Sequence, residues 1–173
     1  MQSEIATVID AMPLADLVNA AYWGAGGHYG WTHEAELIAG NRASTRDVAT
    51  LIGDSSATVL IRRSDKPPAL LGCVAVEMNS ADRCTISMLA IAPEHQAAGL
   101  GRALLADAEQ FAASKGATIA KITVVQQRES LIAWYERRGY RRTGALEAFP
   151  YGDDSVGMPM RDDLDFVVLE KTL

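Results

Sequence analysis

The residues best suited to chemistry lie in one short run, Gln96-Ala97-Ala98-Gly99-Leu100-Gly101-Arg102. It separates an apolar segment that ends near Ala92 from a stretch of helical periodicity that begins near Gly99. The first turn of a helix exposes backbone N–H groups and the positive end of the dipole, and together these attract an anion. Glycine at 99 and 101 would let a phosphate reach the backbone without meeting a Cβ. Arg102 falls in that first turn, where a cation gains nothing from the dipole; an anion beside it would explain the choice. The run is not a Walker loop, because no Gly-Lys-Ser/Thr follows a four-residue spacer. It is not a Rossmann fingerprint either, since a third spaced glycine is missing and the strands before it read as antiparallel. Glycine spacing alone leaves a purely structural loop as the alternative.

A second basic cluster, Arg137, Arg138, Arg141 and Arg142 with Arg128 upstream, reads as a solvated helix end or as a place where one or two arginines meet a cofactor phosphate. The net charge of −6 argues against nucleic acid as a partner. Cys73 and Cys84 fall in two apolar segments joined by Asn79–Asp82; a hairpin there would set Cys73 near Met88 and Cys84 near Glu77, so no disulfide is expected. His28, His33 and His95 lack metal-ligand spacing, and no metal is expected. With no apolar run long enough for a bilayer and no signal-like N-terminus, the chain reads as cytoplasmic and free of membranes.

The elements that would position these groups follow from periodicity. At 173 residues the chain suits a single domain, 1–173. Residues 13–24 read as a helix, 25–42 as a glycine- and aromatic-rich loop or broken helix, and a short helix follows from Ser44, whose side chain can cap the first turn before Asp47. Segments 57–63, 69–79 and 83–92 predict an antiparallel meander. Leu100, Leu104, Ala108, Phe111 and Ala112 share a helical face that ends at Gly116. A buried strand over 117–125, a helix from Glu129 to Arg138 and two strands, 140–147 and 164–171, complete the chain. The order predicts a mixed α/β fold with helices on both faces of the sheet.

The stretch 84–116 resembles the central motif of the GNAT superfamily of N-acetyltransferases: Leu89-Ala90-Ile91, then Gln96-x-x-Gly99-x-Gly101, then a helix. Trp134-Tyr135-Glu136-Arg137-Arg138-Gly139-Tyr140 resembles the family's second motif. The likeness covers about residues 57–147, and Gln127, Arg128 and Glu129 stand where many members carry Asn. It implies a mixed, mostly antiparallel sheet whose two central strands splay, with acetyl-CoA as cosubstrate in the gap. Leu89 and Ile91 would offer backbone groups to the pantetheine arm, and the amides of Ala97, Ala98, Gly99, Leu100, Gly101 and Arg102, after Gln96, would hold the pyrophosphate.

The resemblance also implies chemistry. Tyr135 matches the tyrosine that protonates the departing sulfur, though it also fits a core tyrosine beside Leu131. Some members use a strand Glu as base where this chain has Thr85, which makes Glu34 the substitute candidate, ahead of Glu77 and a water chain; Glu34 also reads as a solvated helix-start carboxylate. Tyr29 and Trp31, with Tyr22, would wall an acceptor pocket for a small-molecule or peptide amine. The acceptor is not legible in the sequence, and a homodimer is compatible with it.

Overall fold

The computed structural model describes residues 3–23, 37–65, 69–96, 98–153 and 157–173. Over these the chain runs β1 (Glu4–Ile5), α1 (Ala11–Trp23), β2 (Ile38–Ala39), α2 (Thr45–Gly53), β3 (Ala57–Arg63), β4 (Leu70–Met78) and β5 (Arg83–Ile91). It continues through α3 (Leu100–Ser114), β6 (Ile119–Val125), α4 (Glu129–Glu136), β7 (Arg141–Ala148), β8 (Met158–Pro159) and β9 (Asp165–Thr172). The order matches the expectation from periodicity. The additions are β1, β2 and β8, each two residues long and too short to show a period.

Seven strands form one sheet in the order β1-β3-β4-β5-β6-β9-β7, antiparallel at every step except β5 against β6. Both faces are covered, so β4 reads as the near-continuous apolar run Leu-Leu-Gly-Cys-Val-Ala-Val. Its side chains alternate between two cores. Val74 and Val76 join Leu104, Ala108 and Ile132 from α3 and α4, whereas Cys73 and Ala75 join Leu14, Val18 and Val48 from α1 and α2. Gly72 is where the first core closes most tightly. A Cβ there would lie 2.6 Å from Ile91 Cδ1 and 2.8 Å from both Ala90 O and Leu104 Cδ1, so only glycine lets α3 approach β4 and β5 this closely.

The hairpin between β4 and β5 corrects one expectation. Cys84 lies opposite Met78 and Cys73 opposite Ala90, in place of Glu77 and Met88. The turn sets the register one residue away from the expected pairing, with Asn79 and Ser80 N–H both donating to Arg83 O. A β-bulge then shifts it again: pairing jumps from Ala75–Ser87 to Cys73–Ala90, so Met88 and Leu89 together face Val74. Met88 carries the bulge at φ +51°, a left-handed conformation costly for a side chain with a Cβ. The thiols remain apart, on opposite faces of the sheet, and both are free and buried.

Caps fix the helix starts. Ser44 Oγ accepts from Asp47 N–H at 3.1 Å, and Asp47 Oδ2 accepts from Ser44 N–H at 3.2 Å, closing a capping box on α2. Near the N-terminus, the buried Asp10 carboxylate accepts from Thr7 N–H at 2.8 Å and pairs with Arg63 on β3. Although burial is the largest influence and opposes ionisation, the Thr7 and Arg63 contacts together hold this carboxyl below the usual aspartate range.

Candidate active site

β5 and β6 are ladder partners only at their starts, through Arg83–Ile119, Cys84–Ala120 and Thr85–Lys121. Beyond Thr85 the two strands part, while β6 stays paired with β9 as far as Val125–Phe166. Ala92 N–H donates to Leu71 O across the β4 side, at 2.9 Å. Backbone direction alternates along a strand, so Leu89 and Ile91 turn their N–H and C=O groups to the other side, into the gap. The gap is therefore flanked by strand edges, a template for an extended chain that carries amides.

At the end of β5 the chain folds back on itself. Gln96 Nε2 donates to Ile91 O at 3.1 Å, which fixes the loop against the strand and occupies that carbonyl. Gly99 follows at φ +80° as the N-cap of α3; it offers no side-chain cap, and a Cβ there would meet nothing within 4 Å. Gly99 therefore leaves the first-turn N–H groups of α3 without a side-chain cap of its own, the kind of helix start that suits an anion. A Cβ on Gly101 would lie 3.7 Å from both Ile91 Cγ1 and Trp134 Cζ2, so this glycine sits between the strand end and the ring of Trp134 on α4. Ala98 is exposed and Leu100 packs on the first core. Ala97 lies outside the described residues.

A cleft of about 490 Å³ opens beside this turn, lined by Arg102, Glu109, Arg137, Arg138 and Lys171 among others. Lys171 Nζ and Glu109 Oε2 pair at 2.6 Å, which leaves the three arginines as the net charge of the cleft. The Arg138 guanidinium lies 3.4 Å from the Trp134 ring centre and donates to Trp134 O at 2.6 Å. Burial first, then repulsion from Arg137 and Arg102, lowers the proton affinity of Arg138. Like charges crowded around a cleft of this size suit a polyanionic ligand.

The model for the acetyltransferase (GNAT) family matches residues 23–140. The chain belongs to the GNAT acetyltransferase family. A nourseothricin acetyltransferase structure is 26% identical, with a TM-score of 0.57, over 69% of this chain and 66% of that one. The ribosomal-protein-S18-alanine N-acetyltransferase from Escherichia coli shares the fold at TM-score 0.70 and 15% identity, over 99% of this chain and 92% of that one. A GNAT family acetyltransferase from Elizabethkingia anophelis with acetyl-CoA bound shares it at TM-score 0.60 and 18% identity, over 75% and 84% of the two chains. No curated protein matches the chain significantly.

Within the GNAT fold of this chain, Tyr135 is 6% exposed, in edge-to-face contact with Trp134 at 5.0 Å and Tyr140 at 5.7 Å. It belongs to the same cluster as Leu89 and Ile91, so the second motif packs on the strand that borders the gap. Thr85 donates to Asn79 Oδ1 and stands opposite Glu77, at the end where β5 and β6 are still paired. Three sequence candidates, Tyr29, Trp31 and Glu34, lie outside the described residues.

Trp134, which the sequence marks only as the start of the second motif, closes on Gly101 and carries Arg138. Arg128, the N-cap of α4 at the end of β6, is 7% exposed, which is unusual for an arginine. Both thiols are held protonated: burial pushes Cys73 up to about 12, and burial followed by Glu109 raises Cys84. Among the described residues no group of three or more His, Cys, Asp or Glu could hold a metal, and no helix is long and apolar enough to cross a membrane.

Proposed function

We propose that this protein transfers an acetyl group from acetyl-CoA to a primary amine by direct attack. The observation that carries the reading is the parting of β5 and β6 after Thr85, which leads to the uncapped first turn of α3. Acetyl-CoA has a matching sequence of groups: a thioester, an arm with two amides, a pyrophosphate and a 3′-phosphorylated nucleoside. The arm would lie along β5, bonded by backbone groups of Leu89 and by Ile91 N–H, since Gln96 already holds the Ile91 carbonyl. The pyrophosphate would rest on the amides from Ala97 to Arg102, and the 3′-phosphate would enter the cleft of Arg102, Arg137 and Arg138.

The thioester supplies an activated acetyl carbon, and the protein supplies position, a donor to the carbonyl oxygen and two proton transfers. A backbone N–H at the bulged end of β5 would stabilise negative charge on that oxygen. The amine nitrogen forms the new C–N bond, the C–S bond breaks, and the sulfur takes a proton from Tyr135. Glu34 is the proposed acceptor of the amine proton, ahead of Glu77, which stands opposite Thr85 three residues before the bulge, and of a water chain. Neither cysteine is available as a thiolate for an acyl-enzyme, which favours direct transfer over a relay. Free buried thiols also fit a reducing compartment such as the cytoplasm.

The test combines binding and turnover. Acetyl-CoA should raise the melting temperature, and ATP and NAD should do so much less, because only a ligand that prefers the native state stabilises it. An amine panel scored by free CoA thiol should then find an acceptor. No thermal shift with acetyl-CoA would remove the reading, and binding with no thiol release from any amine would reduce the protein to a CoA-binding module.

A further inference from the structure

A side chain on the neighbouring strand grips the bulge in β5. Cys73, on β4, is fully buried, and its thiol donates to Met88 O at 3.5 Å. Burial pushes this thiol up to about 12, and the Ala90 N–H against the same sulfur works the other way without offsetting it, so the donated proton is retained. The sulfur therefore meets the bulge on both sides of Leu89, at the carbonyl that precedes it and at the N–H that follows it.

The contact falls where the backbone most needs support. Met88 lies at φ +51°, a left-handed conformation that a residue with a Cβ keeps only when its surroundings hold it. Around the bulge the side chains divide between the two faces of the sheet. Met88 packs on the core under α1 and α2, where Cys73 also lies, and Leu89 packs on the core under α3 and α4 with Tyr135. A trans peptide points its N–H opposite its C=O. With Met88 O turned to Cys73, the Leu89 N–H is turned away from β4, toward the side on which β5 has parted from β6.

Resting on the acetyl-CoA reading above, we infer that the Leu89 N–H is the donor to the acetyl carbonyl oxygen and that Cys73 is its positioning residue, holding the Met88–Leu89 peptide in the orientation that the reaction needs. The thiol touches no reacting atom. Its loss lets the peptide rotate and swings the N–H off the oxygen on which negative charge develops. A donor aimed at that oxygen is worth about a hundred- to a thousandfold in rate, and misalignment forfeits a share of it.

The experiment compares Cys73→Ser, which keeps a donor, with Cys73→Val, which fills the space without one, and Cys73→Ala, which removes the donor and adds no bulk. The probe is acetyl-CoA isotopically labelled at the acetyl carbonyl and followed by infrared difference spectroscopy, which requires no acceptor. On binding to wild-type protein the carbonyl stretch should move to lower frequency than in free acetyl-CoA. Cys73→Ser should keep that shift, and Cys73→Val and Cys73→Ala should lose about half of it or more. The single-turnover rate with the best amine of the acceptor panel should fall roughly ten- to hundredfold in the same two variants. CoA, which lacks the carbonyl, should bind all four proteins within a few-fold. Melting curves report folding, and Cys73→Ala carries the comparison should Cys73→Val not fold. Three outcomes overturn the proposal: a wild-type complex with no carbonyl shift, a full shift in the variants without a donor, or a Cys73→Ser protein as impaired as Cys73→Val, which would mark Cys73 as packing alone. Failure of acetyl-CoA to bind wild-type protein is a different result and would overturn the cofactor reading itself.

Discussion

Gly101 offers a pair of substitutions that separates folding from cofactor binding. A Cβ at this position would sit 3.7 Å from Ile91 Cγ1 and Trp134 Cζ2, an ordinary van der Waals separation, and the residue lies inside α3 with no left-handed φ. Gly101→Ala should therefore fit and stabilise the helix by about 0.5–1 kcal/mol, with acetyl-CoA affinity within a few-fold of wild type. Gly101→Asp adds a carboxylate at the turn proposed to cradle the pyrophosphate. A charge pair 4 Å apart costs about 1 kcal/mol even in a water-like dielectric and about 4 kcal/mol at an effective dielectric of 20. Two phosphate charges then give a loss of at least about 2 kcal/mol, or about thirtyfold in Kd. Titration calorimetry gives the affinities and thermal melts give the stabilities. An unchanged dissociation constant in Gly101→Asp would place the cofactor elsewhere; a Gly101→Ala protein that loses stability would show that the packing between α3 and α4 has been misread.

Three further substitutions probe other parts of the account. Tyr135→Phe keeps the ring contacts with Trp134 and Tyr140, so it should fold, while the single-turnover rate falls by roughly a hundred- to ten-thousandfold if its hydroxyl protonates the sulfur. A wild-type rate would leave Tyr135 as a core residue. Gly72→Ala drives a methyl into Ile91, Leu104 and the Ala90 carbonyl, and should cost about 1–3 kcal/mol in urea unfolding with weaker acetyl-CoA binding; full stability would refute the close approach of α3. Asp10 has a lowered pKa, so its contribution is present above the ordinary carboxylate pKa and is lost as pH falls through the depressed folded value. Asp10→Asn should thus destabilise at neutral pH and flatten the acid limb of a stability–pH curve, and an unchanged acid limb would contradict the assignment.

Local signals carried much of this molecule. Ser44 caps α2 as its position announced, and α3 starts beside Gly99, where the helical period begins. The meander, the amphipathic face of α3 and the two strands after α4 follow from period alone. The misread register of the β4–β5 hairpin has two causes, a turn in which Asn79 and Ser80 N–H both donate to Arg83 O and a bulge further along the ladder. The bulge places Met88 at positive φ, and nothing about a methionine within an apolar strand signals that conformation.

The central claim is that acetyl-CoA lies in the gap between β5 and β6 with its phosphates on the first turn of α3. Amide hydrogen exchange, resolved by residue with and without acetyl-CoA, tests it most directly. The account predicts slowed exchange at Leu89, Ile91 and the amides from Ala98 to Arg102, with little change along β3 or on α1. Protection confined to α1 and α2, or none at the gap despite saturating acetyl-CoA, would contradict it.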